Sequence, residues 1–529
     1  MNTNQKNILF VLLLCAAVFA LYGQFLSNPV VFDDIPERDG SFSPFNLRSL
    51  PYATLEWGMA LFDREVMFFR IESMALHSAV AVALFFFLKA LFERLDSARR
   101  ATSLSCAALA FFAALLFALH PVGVYAAGYL VQRTIVMATL FSLLAMYAWL
   151  QGTARPSPGW LWASVCFYYL AVLSKEHAIM LPAVLVALTV LLREDWLEWL
   201  KKHWGILLAL AAISVWVVLA KKGVLGTVYE IYAPDMLVET EANLNYPLSV
   251  LTQSWLFFKY AVLWLFPNPN WMSVDMREPF AASLWSGYLA AFLAFLSWGA
   301  LAVWLLFKRG RLGLLGFALL FPWLMFMPEF STIRIQESFV LYRSYLWAVG
   351  ACAVLPLLLD RLDRNMAAIV MGAIALAMMP ISMDRLASFA HSLILWDDAA
   401  KLVEGKQELP GVYRIYYNRG TERLKVDDYD GAIQDFKRSL ALQPDWVFSY
   451  NNLGVAYGKK WEWELSVEAF SEAISIAQRK QMGFNPTPYL GRAVSYTQMG
   501  KTDLARQDYE LTCRLANKGC DKLTNVHNR

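Results

Sequence analysis

Four short stretches of the chain carry residue types that could do chemistry. The first is the adjacent carboxylate pair Asp33-Asp34, in Val30-Val31-Phe32-Asp33-Asp34. Such a pair can take a proton from an acceptor hydroxyl or hold a divalent cation against a phosphate. The second is Leu119-His120-Pro121 followed by Gln132-Arg133, and the third is Ser174-Lys175-Glu176-His177. The fourth is Gln336-Glu337 with Tyr342-Arg343, where a guanidinium could grip a phosphate bidentately. Ionisable residues wedged between apolar stretches default to function, with their partners among their neighbours. Each also has a plainer reading, as a solvated loop, a helix cap or an exposed ion pair of small energetic value.

The elements that must position these groups are apolar. Of 529 residues, 58% are hydrophobic and 17% charged, against 45–50% and about 25% in soluble domains. The excess suits a bilayer, and 20 Trp and 23 Tyr suit many membrane–water interfaces. A formal net charge of +3 argues against nucleic acid as a partner. Apolar runs near 7–26, 71–92, 102–119, 134–152, 159–174, 177–192, 204–220, 282–307, 312–328, 344–359 and 366–383 predict about eleven spans. A further run, 254–266, is short, ends in Phe266-Pro267-Asn268-Pro269, and reads as a re-entrant or interfacial helix. Basic residues mark cytoplasmic loops, and an N-terminus inside makes every short inside loop basic, from Lys6 through Arg94, Arg193 and Lys308 to Arg364. Counting 254–266 as a span would move Lys308-Arg309-Gly310-Arg311 outside. The first run reads as an uncleaved anchor, since no small-x-small cleavage site follows it. The long outer regions are then 27–70, 221–281 and 329–343, and all four polar stretches fall on the outer side.

Charge density rises after 384, and the remainder, 384–529, reads as a soluble helical-repeat domain following the membrane domain 1–383. Tetratricopeptide units are 34-residue helix pairs with a small residue and an aromatic at set points on the first helix and Ala and an aromatic on the second. One unit has Gly420, Ala432, Phe436 and Pro444; Gly454, Tyr457, Phe470 and Ala473 begin the next 34 residues on. A third, after an insertion, has Ala493, Tyr496, Ala505 and Tyr509. Such an array is either a prop for the membrane part or a docking surface for a protein. Cys15, Cys106, Cys166 and Cys352 lie in apolar stretches; Cys513 and Cys520 could pair in an oxidising compartment. Phosphate-loop, zinc-finger and serine-hydrolase patterns are absent from the sequence, which disfavours nucleotide-driven and zinc mechanisms.

The order of these stretches carries a resemblance. Asp33-Asp34 after the first span, Phe117-Ala118-Leu119-His120-Pro121-Val122 leading to Gln132-Arg133, Leu173-Ser174-Lys175-Glu176 leading to Leu181-Pro182, Leu251-Thr252-Gln253, and Tyr342-Arg343-Ser344-Tyr345-Leu346 resemble the transmembrane-and-tetratricopeptide O-glycosyltransferases of the GT-C superfamily. The stretch Arg70 to His77 keeps a His that the family places there, in altered surroundings, and the repeat array is short. The resemblance implies an all-α, GT-C-like membrane bundle in a bacterial inner membrane, with a cytoplasmic N-terminus and a periplasmic repeat domain. It implies transfer of a sugar from a polyprenyl-phosphate-linked donor to an exported protein such as a pilin. Asp33 or Asp34 would be the general base. Arg133, Lys175, His177 and Arg343 would hold the donor phosphate, where positive charge stabilises the departing group. Glu176 would orient Lys175 or touch the sugar, with His77, His120 and Glu337 as further candidates. The region 254–271, with Trp255, Trp264 and Trp271, would line a lipid groove. No cofactor is implied with certainty: some superfamily members use a divalent cation and others none, and Asp33 and Asp34 do not decide between them. Two alternatives stay open: a transferase acting on lipid or lipopolysaccharide, and a non-catalytic scaffold or transporter that recruits partners through its repeats.

Overall fold

The computed structural model describes residues 2–31, 42–61, 65–95, 104–154, 157–221, 226–228 and 244–526. The chain divides into two compact units, Met1–His391 and Ser392–Arg529. The described residues are helical in both; extended pairing is confined to the isolated bridges Thr227 with Thr332 and Met276 with Phe339.

Among the described residues of the first unit, eight helices are long and apolar enough to cross a membrane, or ten if each of two sharply bent pairs is one span. Two of the eleven expected spans are short helices that meet at a break, and Asn245–Leu265, not expected as a span, is among those that pass, which gives ten. Pro158–Ser174 ends where Lys175 turns to extended backbone (φ −155°, ψ 125°), and a 3₁₀ turn, Glu176–Met180, leads into Leu181–Leu192. Cys106–Ala118 and Pro121–Ala127 are bent by 68°. Pro121 has no N–H to donate and pushes His120 out of helical conformation, to φ −72° and ψ 131°. The first helix, Thr3–Tyr22, starts on a reciprocal Asn2/Gln5 cap, and Arg364–Ser388 starts on Asp363, which takes the Asn365 and Met366 amides.

The helices have two distinct ends. At one, Arg94 donates to Gln151, Arg193 to the Thr153 carbonyl, Arg309 to the Arg193 carbonyl, and Arg311 pairs with Asp360. At the other lie Lys175, Glu176, His177, Glu329 and Arg343. Leu181–Leu192 and Gly310–Phe326 each run from one group to the other. Arg133–Ala154, at 22 residues, spans about 33 Å, close to a hydrocarbon core.

The apolar run at 254–266 belongs to a longer helix, Asn245–Leu265, which itself passes the length and apolarity test. Its first half is threaded with Asn245, Ser249, Thr252 and Gln253, so its hydropathy understates its length. It lies along the loop 334–344. Ser249 accepts from the Arg334 amide, Gln253 donates to the Ser338 carbonyl, Tyr260 to the Val340 carbonyl, and Trp264 to the Ser344 hydroxyl. Both halves are therefore tied to one end of the unit.

The second unit contains three helix pairs: Val412–Lys425 with Tyr429–Leu442, Val447–Lys459 with Trp463–Arg479, and Pro486–Gln498 with Thr502–Ala516. Ser392–Leu402 precedes them and Cys520–Val526 follows. The expected small residues sit where helices touch. A Cβ on Gly454 would lie 2.9 Å from the Phe470 ring, and one on Gly420 would lie 2.8 Å from that of Phe436. Cys513 and Cys520 form a disulfide that ties the last helix back.

Candidate functional site

Glu176 anchors the site. Arg48 grips it with two nitrogens, Nε at 2.9 Å and Nη2 in a closer contact, and Lys221 donates to the same carboxylate at 2.6 Å. Arg48 can do this because its own amide is fixed on the Leu173 carbonyl at 2.8 Å, beside the helix end that Lys175 breaks. Burial acts to raise the Glu176 carboxyl, but the Arg48 guanidinium, with Lys175 and Lys221, outweighs it and holds the group well below the usual carboxylate range.

Lys175 is the unusual member. Its side chain is buried, 6% exposed, with its ammonium 5.6 Å from the centre of the Tyr342 ring. Among the described residues no carboxylate is in ion-pair contact with it, because Glu176 is committed to Arg48 and Lys221. Burial, then the charge of Arg48, and further Arg343 and Lys221, push its pKa well below the usual lysine value, with Glu176 opposing. This is a buried cation among cations.

A second carboxylate, Glu329, completes the cluster, and sequence reading missed it. It is 1% exposed and takes three partners: His177 Nε2 at 2.9 Å, Arg343 Nη1 at 3.1 Å and Arg334 Nε at 3.4 Å. Arg343 also reaches Glu337, through its carboxylate at 3.2 Å and its carbonyl at 3.0 Å. A Glu inside the apolar run Phe326-Met327-Pro328-Glu329-Phe330 was the available signal. Among the described residues, five cations, Arg48, Lys175, Lys221, Arg334 and Arg343, thus face three carboxylates, Glu176, Glu329 and Glu337.

A cavity of about 470 Å³ opens beside this cluster. Its polar lining includes Glu176, His177, Lys221, Thr332 and Arg334; Val217, Val218 and Met327 are among its apolar lining. The volume lies in the usual range for small-molecule sites.

The remaining candidates are elsewhere. Arg133 is buried against Glu72 at 2.8 Å, with Thr54 at 3.4 Å, a separate pair. His77 donates from Nε2 to the Ala118 carbonyl at 2.9 Å and accepts from the Tyr345 hydroxyl at 2.6 Å, so both ring nitrogens are engaged. His120 accepts the Val122 amide as a helix cap and donates to the Trp264 carbonyl at 3.0 Å, with its ring stacked on Trp264. Both histidines are structural fasteners: they have no nitrogen to spare for a substrate. Asp33 and Asp34 lie outside the described residues. Among the described residues no group of three His, Cys, Asp or Glu could hold a metal ion.

In the second unit, Arg419 clasps the buried Asp435 with two bonds, 2.9 and 2.7 Å, and Arg492 clasps Asp508 in the same way, 2.8 and 2.9 Å. Both pairs are 16 residues apart and staple the two helices of one unit together.

Comparison with known proteins bears on this unit. Residues 413–445 match the tetratricopeptide repeat family. The chain is 38% identical over 61 residues to the tetratricopeptide repeat domain-containing protein PYG7 of Arabidopsis thaliana, a chloroplastic protein. That match covers 12% of this chain and 20% of the relative, so the chain spans about a fifth of the curated relative's length. Among solved structures, yeast Tom70 aligns at 14% identity over 72% of this chain and 73% of its own, with a TM-score of 0.20. The Cut9–Hcn1 hetero-tetramer of the APC/C aligns at 13% identity over 89% of this chain and 86% of its own, with a TM-score of 0.23. Scores this low do not establish a common overall fold. The chain therefore contains a tetratricopeptide repeat at 413–445, in a protein whose described residues are helical and include a set of long apolar helices.

Proposed function

We propose that the chain is an integral-membrane glycosyltransferase of GT-C type. It would move a sugar from a polyprenyl-phosphate carrier to an exported protein on the outer face of a bacterial inner membrane. The observation that carries the reading is Lys175: a buried ammonium, without a carboxylate partner among the described residues, next to Arg48, Lys221 and Arg343. An ammonium buried without a paired carboxylate is costly unless an anion completes it. A phosphate leaving group at a membrane surface is an anion of that kind, and preorganised cations there stabilise the charge that develops as the sugar departs.

Other features support the reading. The end bearing Arg94, Arg193, Arg309 and Arg311 suits the cytoplasmic side, which leaves the Lys175 cluster outward. The Cys513–Cys520 disulfide suits an oxidising compartment for the repeat unit. Asp33 or Asp34 would then take the acceptor's proton, and the repeats would hold the acceptor. A divalent cation, if used, would have to involve Asp33 and Asp34.

The test is to replace Asp33 and Asp34 separately with Asn, and Lys175 with Met, in cells carrying the native locus, at matched protein levels. Intact masses of exported proteins and of lipopolysaccharide are then compared. Loss of a sugar-sized mass from a protein supports the reading, whereas loss confined to lipopolysaccharide moves the acceptor to lipid. No change in any glycoconjugate refutes both. The match of 413–445 to tetratricopeptide repeats favours a second reading, a membrane-anchored docking scaffold, and that outcome would leave it standing.

A further inference from the structure

Each helix pair of the second unit closes its internal turn in the same way. The amide after the turn donates back to the first helix: Asp428 to the Arg423 carbonyl at 3.0 Å, Glu462 to Tyr457 at 3.0 Å and Lys501 to Tyr496 at 2.9 Å. That closure needs a left-handed residue just before it, and the chain supplies Asp427 (φ 62°), Trp461 (φ 66°) and Gly500 (φ 73°). Glycine suits this backbone and Asp is tolerated, whereas a bulky side chain there is an outlier. Trp461 therefore works against its own turn. Its indole gains little inside the unit in return: it is 74% exposed and meets Trp463 edge-on, with 5.7 Å between ring centres. Strain held at an exposed aromatic points to a contact outside the unit.

The place of the turn in the unit identifies that contact. Ser392–Leu402 runs back against Val412–Lys425: Ala399, Ala400 and Val403 at its far end pack with Val412 and Ile415 at the start of the next helix. Its beginning therefore lies at the same edge of the unit as the turns at 427, 461 and 500, opposite the connections 443–446 and 480–485. Lys460, 2.6 Å from Asp430, ties the first two turns together. Ile394 and Val426 stand exposed along this edge with Trp461, 49% and 45%. The chain reaches the edge from Arg364–Ser388, a helix long and apolar enough to cross a membrane, through residues 389–391 alone. Charge does not mark the edge: residues 425–430, 459–462 and 499–501 contain four lysines and four carboxylates. An apolar row led by an indole, balanced in charge and joined to a membrane helix by so short a link, fits the interfacial layer of a bilayer, where tryptophan is enriched.

We propose that this edge of the repeat unit rests on the lipid surface, with Trp461 as its anchor and Val426 and Ile394 beside it. The short link keeps the local concentration of lipid high, so a few apolar side chains suffice to hold the unit down. The proposal rests on the reading of the apolar helices as membrane spans and is independent of any transfer reaction.

The test places a benzophenone amino acid at position 461 or, as a control, at Ile369, 70% exposed on Arg364–Ser388, in the full chain in its native membrane. After irradiation, mass spectrometry identifies what each probe has captured. Phospholipid adducts at both positions are expected. Lipid at 369 with a second copy of the chain, another protein or nothing at 461 overturns the proposal. No lipid at 369 overturns the membrane reading itself. In a second arm the probe sits at Val426 and Trp461 is varied. Trp461→Gly frees the turn of its strain and should slow hydrogen exchange in 447–479, yet cut the lipid adduct at 426 by about fivefold, while Trp461→Phe keeps most of it. An unchanged adduct at 426 in the glycine variant overturns Trp461 as the anchor, and faster exchange overturns the strain argument.

Discussion

Replacing Glu329 with Leu removes the one carboxylate shared by three buried partners. Arg343 would keep the Glu337 carboxylate at 3.2 Å, but that group is 47% exposed and its attraction is screened by water. Arg334, whose side chain is 6% exposed, would lose its contact with Glu329, and His177 would lose its acceptor. Removing one partner of a buried ion pair costs about 3–5 kcal/mol, because the surviving charge stays buried. At roughly 2 °C per kcal/mol for a unit of this size, the melting midpoint should fall by about 6–10 °C. The assay is thermal denaturation of the full chain in nanodiscs at one fixed scan rate, since large multi-domain chains seldom unfold reversibly. The double variant Glu329→Leu with Arg343→Met removes both charges and should be less destabilised than the sum of the singles, by about 2 kcal/mol. A Glu329→Leu midpoint within about 1 °C of wild type, or strict additivity in the double variant, would refute the account of Glu329 as the clasp of this cluster.

Other consequences can be checked separately. The Lys175 pKa lies well below its ordinary value, so an unfolded chain binds more protons at this residue from the depressed value up to about 10.4. Its contribution to stability therefore rises with pH across that window, and on the proposed lipid-phosphate reading affinity for an anionic lipid falls as the ammonium discharges; a pH series of lipid binding on wild type and Lys175→Met should show the fall in wild type only. The substitution Cys520→Ser should destabilise the repeat unit by about 2.5 kcal/mol, the loop-closure value for an eight-residue ring, measured as faster hydrogen exchange in 502–516. Gly491→Ala would place a Cβ 2.2 Å from the Phe470 ring and should cost about 1–3 kcal/mol in the same exchange assay. Single cysteines placed at Arg309 and Glu337 should be labelled by a membrane-impermeant maleimide from opposite faces of the membrane; labelling of both from one face would contradict the two-ended arrangement.

The parts of the fold that show in the sequence are those set by local pattern. Long apolar runs give helices because a helix alone satisfies every backbone group without water. The spacing of Gly420, Gly454, Phe436 and Phe470 gives the repeats because only a residue without a side chain lets those helices close on the rings. Asn245–Leu265 was only half visible, because its polar residues at 249, 252 and 253 are chosen for partners in the loop 334–344 that no local window contains. The site divides in the same way. Lys175, Glu176 and His177 stand out as ionisable residues at a break between apolar helices, and Arg343 as a cation just before another. Arg48, Lys221, Arg334 and Glu329 each look ordinary in sequence and acquire meaning only when 46–49, 176–177, 221 and 329–343 meet. His120 and His77 mislead for the converse reason: a histidine near a span end suggests chemistry, yet backbone carbonyls and a tyrosine occupy both rings.

The two carboxylates of the cluster do different work. Glu176 is matched by Arg48 and Lys221 and so neutralises cations that would otherwise repel Lys175 more strongly. Glu329 sits behind His177 and Arg343 and fixes their orientation. Neither carboxylate reaches Lys175 itself, although Glu176 is its neighbour in sequence. The chain breaks from helix at Lys175, whose backbone is extended, and Glu176 begins the 3₁₀ turn that follows. The break between Pro158–Ser174 and Leu181–Leu192 sets Lys175, Glu176 and His177 at one turn, with Glu176 held by Arg48 and Lys221. The lipid-phosphate reading depends on that turn, because among the described residues it leaves the buried Lys175 without an ion-paired carboxylate.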